Sequence, residues 1–192
     1  MSIEDKEKEP EIKILPVAPE DARGVAEVLY KTWLTVYPNE KAGITTDDIE
    51  DKFKDSFTED SLAKRAERIM HPKEGERLFV AKDGDIVVGI CIIVKHSDKN
   101  QLQAIYVLPD HQGRGIGSLL WQEAQKEFTP GNDTIVQVAT YNVNAINFYK
   151  NLGFVGTGKE FQDERFRMKS GAILPETEMV IRAKNKEIEV SQ

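Results

Sequence analysis

"YVLPDHQGRGIGSLLWQEAQ" runs from Tyr106 to Gln125. It opens apolar, breaks at Pro109, and passes Gly113, Gly115 and Gly117 within five residues. It then becomes a run in which Ile116, Leu119, Leu120, Ala124 and Phe128 recur at helical spacing. Glycine at the mouth of a helix is costly, because it loses more backbone freedom on folding than any other residue. Something at this position needs a bare backbone. Helix N-termini carry unpaired N–H groups and a partial positive charge, which makes them anion sites. A Cβ in the wrong place would hold a phosphate off those groups. The stretch therefore reads as a seat for a phosphate-bearing ligand on the backbone of Gly113 to Ser118, with Arg114 as a charge partner. A glycine-rich strand-to-helix turn with no ligand is the alternative.

Three phosphate motifs compete for the segment. A P-loop requires Lys-Ser/Thr after its last glycine, and none follows here. A dinucleotide fingerprint requires G-x-G-x-x-G straight after a strand. Gly113 and Gly115 satisfy its start, but Ser118 stands at the third glycine, and Pro109-Asp110-His111 separates strand from loop. The third pattern is [QR]-x-x-G-x-[GA]. Gln112 to Gly117 meets it at every fixed position, with Gln112, Gly115 and Gly117 in place and Ile116 between the last two.

The rest of the chain frames this loop. Its 192 residues suit one domain with a real core. A net charge of −7 argues against a nucleic-acid partner, whose phosphates call for a basic surface. The single cysteine, Cys91, lies inside "IVVGICIIV" and reads as a buried strand residue rather than a reactive thiol. No uncharged run is long enough to span a membrane, and "MSIEDKEKEPE" lacks the apolar segment of a secretory signal, so the expectation is a cytoplasmic protein with no membrane partner. Residues 1–9 read as a mobile N-terminal tail, 10–184 as the folded domain and 185–192 as a C-terminal tail.

Along the domain, "IKILPV" predicts a first strand and "APEDARGVAEVLYKTWLTVY" a first helix. Thr46 or Asp47 is the expected cap of a second helix, and Ser61 of a third ending near Met70. Asp83-Gly84 between apolar runs signals a hairpin whose two central residues both need positive φ. "QLQAIYVLP" follows as a strand with Leu102, Ala104 and Tyr106 on one face. "TIVQVAT", the short helix "NAINFYKNLGF" and the strands "GFVGTGKEF" and "ETEMVIRA" complete the order, while "FQDERFRMKSGAILP" shows no clear pattern.

The segment "IYVLPDHQGRGIGSLL" resembles the cofactor-binding motif of the GCN5-related N-acetyltransferases, the GNAT superfamily. A second match lies about thirty residues on. "NVNAINFYKNLGF" fits N-x-x-A-x-x-[FL]-Y-x-x-x-G-F, with Asn142, Ala145, Phe148, Tyr149, Gly153 and Phe154 at the fixed positions. The resemblance covers roughly Ile12 to Ala183. It implies an α/β fold: a single domain on a mixed, mostly antiparallel sheet of six to seven strands, splayed in the middle, with about four flanking helices.

It also implies an acetyl-CoA-dependent N-acetyltransferase, with no metal, acting on an amine acceptor that is a small molecule or a peptide. A homodimer would be ordinary for the family. The pantetheine arm would pair with the main chain of Ile105, Tyr106 and Val107. The pyrophosphate would sit on the N–H groups of Gln112, Gly113, Arg114, Gly115, Ile116, Gly117 and Ser118. Asn142 would bond the pantetheine arm, Ala145 would flank it, and Tyr149 would protonate the departing thiolate. A tyrosine of ordinary pKa is a chemically sound donor to that leaving group.

One position departs from the family. Some relatives carry a glutamate on the strand before the glycine loop, where Gln101 and Gln103 stand here, and glutamine is no base. Glu178, Glu40 or ordered water would have to serve. The departure motivates a second reading, a CoA-binding sensor or interaction module without catalysis. The acidic stretch from Thr45 to Asp60 either draws cationic acceptors such as polyamines or is simply a solvated helix face.

Overall fold

The computed structural model describes residues 12–183, so both expected tails fall outside the described residues. Strand β1 (Ile12–Pro16) leads through a short 3-10 turn into helix α1 (Ala22–Val36). Helices α2 (Thr46–Phe53) and α3 (Glu59–Met70) follow. Then come β2 (Glu76–Asp83), β3 (Ile86–Lys95), β4 (Lys99–Val107), α4 (Ile116–Glu127), β5 (Asp133–Ala139), α5 (Val143–Asn151), β6 (Val155–Arg167) and β7 (Ile173–Ile181). The strands form one seven-stranded sheet in the order β1-β2-β3-β4-β5-β7-β6. All pairs are antiparallel except β4 with β5. The strand count is the upper end of the expected range, and five α-helices flank the sheet.

Local chemistry sets the element ends. Helix α2 is capped by Thr45, one residue before the expected positions: its hydroxyl accepts the Asp48 N–H at 3.1 Å, and the Asp48 carboxylate accepts the Thr45 N–H at 2.9 Å. These reciprocal bonds satisfy two donors that a helix start otherwise leaves free. Helix α3 begins earlier than expected, at a Thr58 cap rather than Ser61. The β2–β3 hairpin turns on Gly84-Asp85, because Asp83 still pairs with Ile86. Only Gly84 has a positive φ, +60°, so the turn follows the one-positive pattern of type II′ instead of the two-positive pattern expected from Asp-Gly. The segment without a clear pattern is mostly strand: β6 continues to Arg167, and the chain reverses through Met168–Ala172, closed by the Met168 N–H donating to the Ala172 carbonyl at 2.7 Å. Strand β6 is largely exposed because it lies at the sheet edge, which blurs the alternation that would mark it.

The core sits on both sides of β3. Val87 to Cys91 are buried in succession, which requires cover on both faces. Ile90, Ile93, Leu102, Ile116 and Leu120 are sealed within it. Burial pushes the Cys91 thiol up to about 12, so it is an inert core residue as expected. Among the described residues, no helix is long and apolar enough to cross a membrane, and no cluster of side chains could hold a metal.

The feature that makes the site lies in β4. Ile92 pairs with Ala104 and Ile93 with Leu102, so Gln103 has no partner and forms a bulge. Cross-strand partners share a face. The bulge therefore puts Leu102 and Ala104 on opposite faces, correcting the simple alternation expected for this strand. Past it, β4 and β5 part. Their parallel pairing runs from Lys99–Asp133 to Leu102–Val136 and stops. Both strands continue beyond, β4 paired to β3 as far as Val107 and β5 paired to β7 as far as Ala139. Asn100, 1% exposed, holds the closed end of this V, with its side chain both accepting from the Thr129 N–H at 2.9 Å and donating to the Thr129 carbonyl at 3.0 Å.

Candidate active site

The parted strands open a cleft of about 370 Å³, within the range of small-ligand sites. Gln103 to Val107 form one wall, Gln137 and Val138 the other, the loop from His111 to Ser118, Arg114 apart, the mouth, and Asn142 at the cap of α5 with Ala145, Phe148 and Tyr149 within it the floor. Sequence segments separated by tens of residues thus converge where a strand edge is left open.

The glycine loop owes its composition to backbone geometry as much as to a ligand. Gly113 and Gly115 have φ of +76° and +78°, a region that costs L-residues roughly 1–2 kcal/mol. Gly117 has a different reason: a Cβ there would come within 3.2 Å of the Phe148 ring, so the bare position lets α4 approach α5. Helix α4 has no side-chain cap. Among the described residues, the first main-chain N–H after Gln112 that finds an acceptor is that of Ser118, bonded to the Gly115 carbonyl at 3.0 Å. The amides from Gly113 to Gly117 are therefore a row of unused donors at a helix N-terminus, an anion seat. The Gln112 side chain turns back to donate to the Val107 carbonyl at 3.0 Å, which fixes the loop to the end of β4.

Arg114 does not join the lining. Its guanidinium pairs with Asp83 at the end of β2, at 3.3 Å, and is 43% exposed. His111 is bracketed by Asp110 at 2.8 Å and Asp83 at 3.6 Å.

Tyr149 is 5% exposed, its ring centroid 5.5 Å from that of Phe148 and 5.6 Å from that of Phe154. Burial is the main cause holding its hydroxyl well above the ordinary phenol range, with the nearby Tyr106 and Cys91 adding to it and a main-chain hydrogen bond at Ile105 opposing. At neutral pH it is a protonated donor. Asn142 caps α5, its side-chain oxygen accepting the Ala145 N–H at 3.1 Å. This leaves its amide N–H groups for the cleft it lines.

The opposite end of the cleft is aromatic. The Tyr37 and Tyr106 hydroxyls lie 2.9 Å apart, and both residues line the cleft. Tyr141 donates to the Tyr37 carbonyl at 2.8 Å, and the Trp33 ring lies 4.5 Å from that of Tyr37. This wall is tied together by Asp48, whose carboxylate accepts the Ser170 N–H at 2.8 Å and its hydroxyl at 2.9 Å. Burial works to raise the Asp48 pKa, but hydrogen bonds from Thr45 and Ser170 outweigh it and keep the group charged. The buried acid of the Thr45–Asp60 stretch thus has a structural task.

The resemblance of "TWLTVYPNE" (Thr32 to Glu40) to the family's first-helix segment, which borders the acceptor pocket, covers Tyr37, whereas sequence reasoning missed Glu176. Glu176 on β7 stands opposite Ala139, the last paired residue of β5. It is 6% exposed, and its Oε2 has no hydrogen-bond partner among the described residues. Burial, with the charge of Asp163 adding and that of Arg165 opposing, lifts its pKa to about 7. Of the acids expected as bases, Glu178 pairs with Lys159 at 3.1 Å in a second, polar concavity, and Glu40 is exposed. Gln103 lines the cleft at the bulge, whereas the Gln101 side-chain oxygen accepts from His96 Nε2, 3.1 Å away.

An open V in a mostly antiparallel sheet, with a glycine loop at its mouth, defines a site for an extended, phosphate-bearing ligand. The sequence model of the acetyltransferase (GNAT) domain matches residues 23–170, and the chain belongs to this family. Over 89 residues it is 36% identical to the peptidyl-lysine N-acetyltransferase YjaB of Salmonella typhimurium, covering 45% of this chain and 56% of that one. The chain thus matches little more than half the length of this curated relative. Among solved structures, the PaiA N-acetyltransferase of Thermoplasma acidophilum, in complex with coenzyme A, superposes with a TM-score of 0.67 at 20% identity, over 90% of this chain and 99% of that one. The ribosomal-protein-S18-alanine N-acetyltransferase of Escherichia coli superposes with a TM-score of 0.57 at 17% identity, over 93% and 99%. At these identities the two structures speak for the fold.

Proposed function

We propose that the protein is an N-acetyltransferase that moves an acetyl group from acetyl-CoA to a primary amine, by direct attack in a ternary complex. The observation that carries this reading is the parting of β4 and β5 beside a row of unbonded amides. An extended arm with amide groups needs a free strand edge, and a pyrophosphate needs clustered N–H donors; this cleft offers both.

Each residue then has a task. The free amides of Gly113 to Gly117 hold the pyrophosphate, as main-chain donors at a helix N-terminus; those of Gln112 and Ser118, expected to join them, are engaged by the Pro109 and Gly115 carbonyls. Ile105, Tyr106 and Val107 supply the strand edge for the pantetheine arm, and a main-chain N–H of this edge stabilises negative charge as it develops on the thioester oxygen. Asn142 bonds the arm from the facing helix, with Ala145 leaving room beside it. Tyr149 gives its proton to the thiolate as the carbon–sulfur bond breaks. Burial keeps the hydroxyl protonated at neutral pH, so the proton is in place when the thiolate forms. The lysine acceptor of the YjaB relative supports an amine acceptor, either a peptide or a small molecule.

The test is release of CoA thiol with a panel of amines. Tyr149→Phe is expected to lower kcat by about 100-fold or more while leaving CoA affinity within about threefold. Unchanged turnover in that variant refutes the acid role. Tight CoA binding with no turnover on any amine points instead to a sensor that has kept the seat and lost the chemistry.

A further inference from the structure

We propose that Glu176 receives the acceptor's ammonium group and takes its first proton, so that acceptors are primary amines presented as cations to the aromatic end of the cleft. The proposal rests on the reading of the site as an amine acetyltransferase.

The placement comes from the sheet. Glu176 stands opposite Ala139, beyond the point where β4 and β5 part, on the strand that carries the second arm of the V. It shares a face of β7 with Leu174, which is packed with Trp33 and Tyr37 in the acceptor-side cluster. Its charge reaches Tyr37 and Tyr106, two of the three cleft-lining tyrosines, adding to the burial that raises the pKa of each. The groups that face it are these two phenols, from the end of α1 and from β4, and Asp163 with Arg165, from β6. Arg165 does not neutralise it: the guanidinium is engaged by Asp163, Nε to Oδ2 at 2.8 Å. A carboxyl that is 6% exposed with a free Oε2 is costly to bury, and a cation in the cleft would repay it. Aromatic faces beside a carboxylate also favour an organic cation over water.

The proton balance is complete. Glu176 takes one proton from R–NH₃⁺ and becomes neutral. The free amine attacks the thioester carbon, so a carbon–nitrogen bond forms and the carbon–sulfur bond breaks. Tyr149 protonates the leaving thiolate and regains its proton from the nitrogen of the new amide. Glu176 then releases its proton to solvent, the one net proton of the reaction. A carboxyl titrating at about 7 is matched to that cycle at neutral pH.

The experiment measures kcat/KM against pH with n-butylamine as acceptor. Wild-type protein should show a rising limb centred near pH 7. Glu176→Gln should lose that limb and fall about 100-fold at pH 8, with CoA affinity unchanged. Retention of the limb, or a loss under threefold, overturns the proposal. If wild-type protein acetylates no amine, the acetyltransferase reading fails, and Glu176 is judged by a readout without turnover. That readout is the ¹³C titration of its carboxyl in CoA-loaded wild-type protein, and it also decides if the variant does not fold. Adding n-butylammonium should lower the midpoint by about one unit or more, as a neighbouring cation must. An unmoved midpoint rejects the assignment.

Discussion

The two ends of the cleft are built from different material. The mouth is main chain: amides of Gly113 to Gly117 and the bare edge of β4 past Gln103. The far end is side chain: Tyr37, just after α1, and Tyr106 from β4 line it, Trp33 and Tyr141 pack against Tyr37, and the charge of Glu176 on β7 reaches both phenols. A main-chain surface recognises what every substrate of the class shares, because each residue carries the same donor and acceptor. A side-chain surface can be redrawn residue by residue. The mouth therefore speaks for the family, and the far end for this chain.

That division can be broken by experiment. The largest effect is expected at the mouth. Gly115→Val forces a β-branched residue to φ +78° and should weaken CoA binding by at least roughly tenfold, read by calorimetry, with the core still folded. If affinity holds, the main chain is not the seat. Next is the tie that holds the far end. Asp48→Ala removes the carboxylate half of the α2 capping box, leaving the Thr45 hydroxyl cap in place, and cuts the link to Ser170; it should cost about 2 kcal/mol of stability by denaturant unfolding. It should raise KM for the amine and leave CoA affinity alone; a matched loss of both would mean the two ends are not separable.

A further stability effect has a defined sign. Glu176 has its pKa raised in the folded state from 4.5 to about 7, so folded protein binds more protons than unfolded protein between these values. Stability must then fall as pH rises through that window. Glu176→Gln should flatten that slope in thermal melts at pH 5, 6 and 7. The smallest effect is expected from Arg114→Ala. Because its guanidinium is committed to Asp83 at an exposed pair, CoA affinity should change by less than about threefold and stability by under about 1 kcal/mol. A large loss would show that a side chain governs the mouth after all.

The same division explains what the sequence made legible. Gln112 to Gly117 and Asn142 to Phe154 are contiguous, and each is bound to a local rule: positive φ, a helix mouth, a cap. They could be read without neighbours, and the glycine pattern carried the α/β fold with it. Glu176 could not. It and Glu178 occupy the same face of β7 by simple alternation, and only the folded chain puts one beside Tyr37 and Tyr106 and the other beside Lys159. One bulge and the centre of one turn were also hidden. The unpaired Gln103 breaks a period that looks regular in "QLQAIYV", since the bulge is set by the register against β3. The Asp-Gly signal marked the hairpin but not its centre, which the pairing of Asp83 with Ile86 moves one residue on. The helix caps at Thr45 and Thr58 lie just before the positions that patterning favoured, because a cap is fixed by its own side-chain bond rather than by the apolar stripe.

The short seam between β4 and β5 has a mechanical consequence. From Lys99–Asp133 to Leu102–Val136 is all the ladder that joins the β1–β4 half of the sheet to the β5–β7 half. Beyond it the two halves are leaves of an open book, bound at the spine by Asn100 and Thr129. A chain laid between the leaves stitches both at once, so filling the gap and stiffening the page are a single event. Whatever binds there spends part of its affinity as bracing for the sheet.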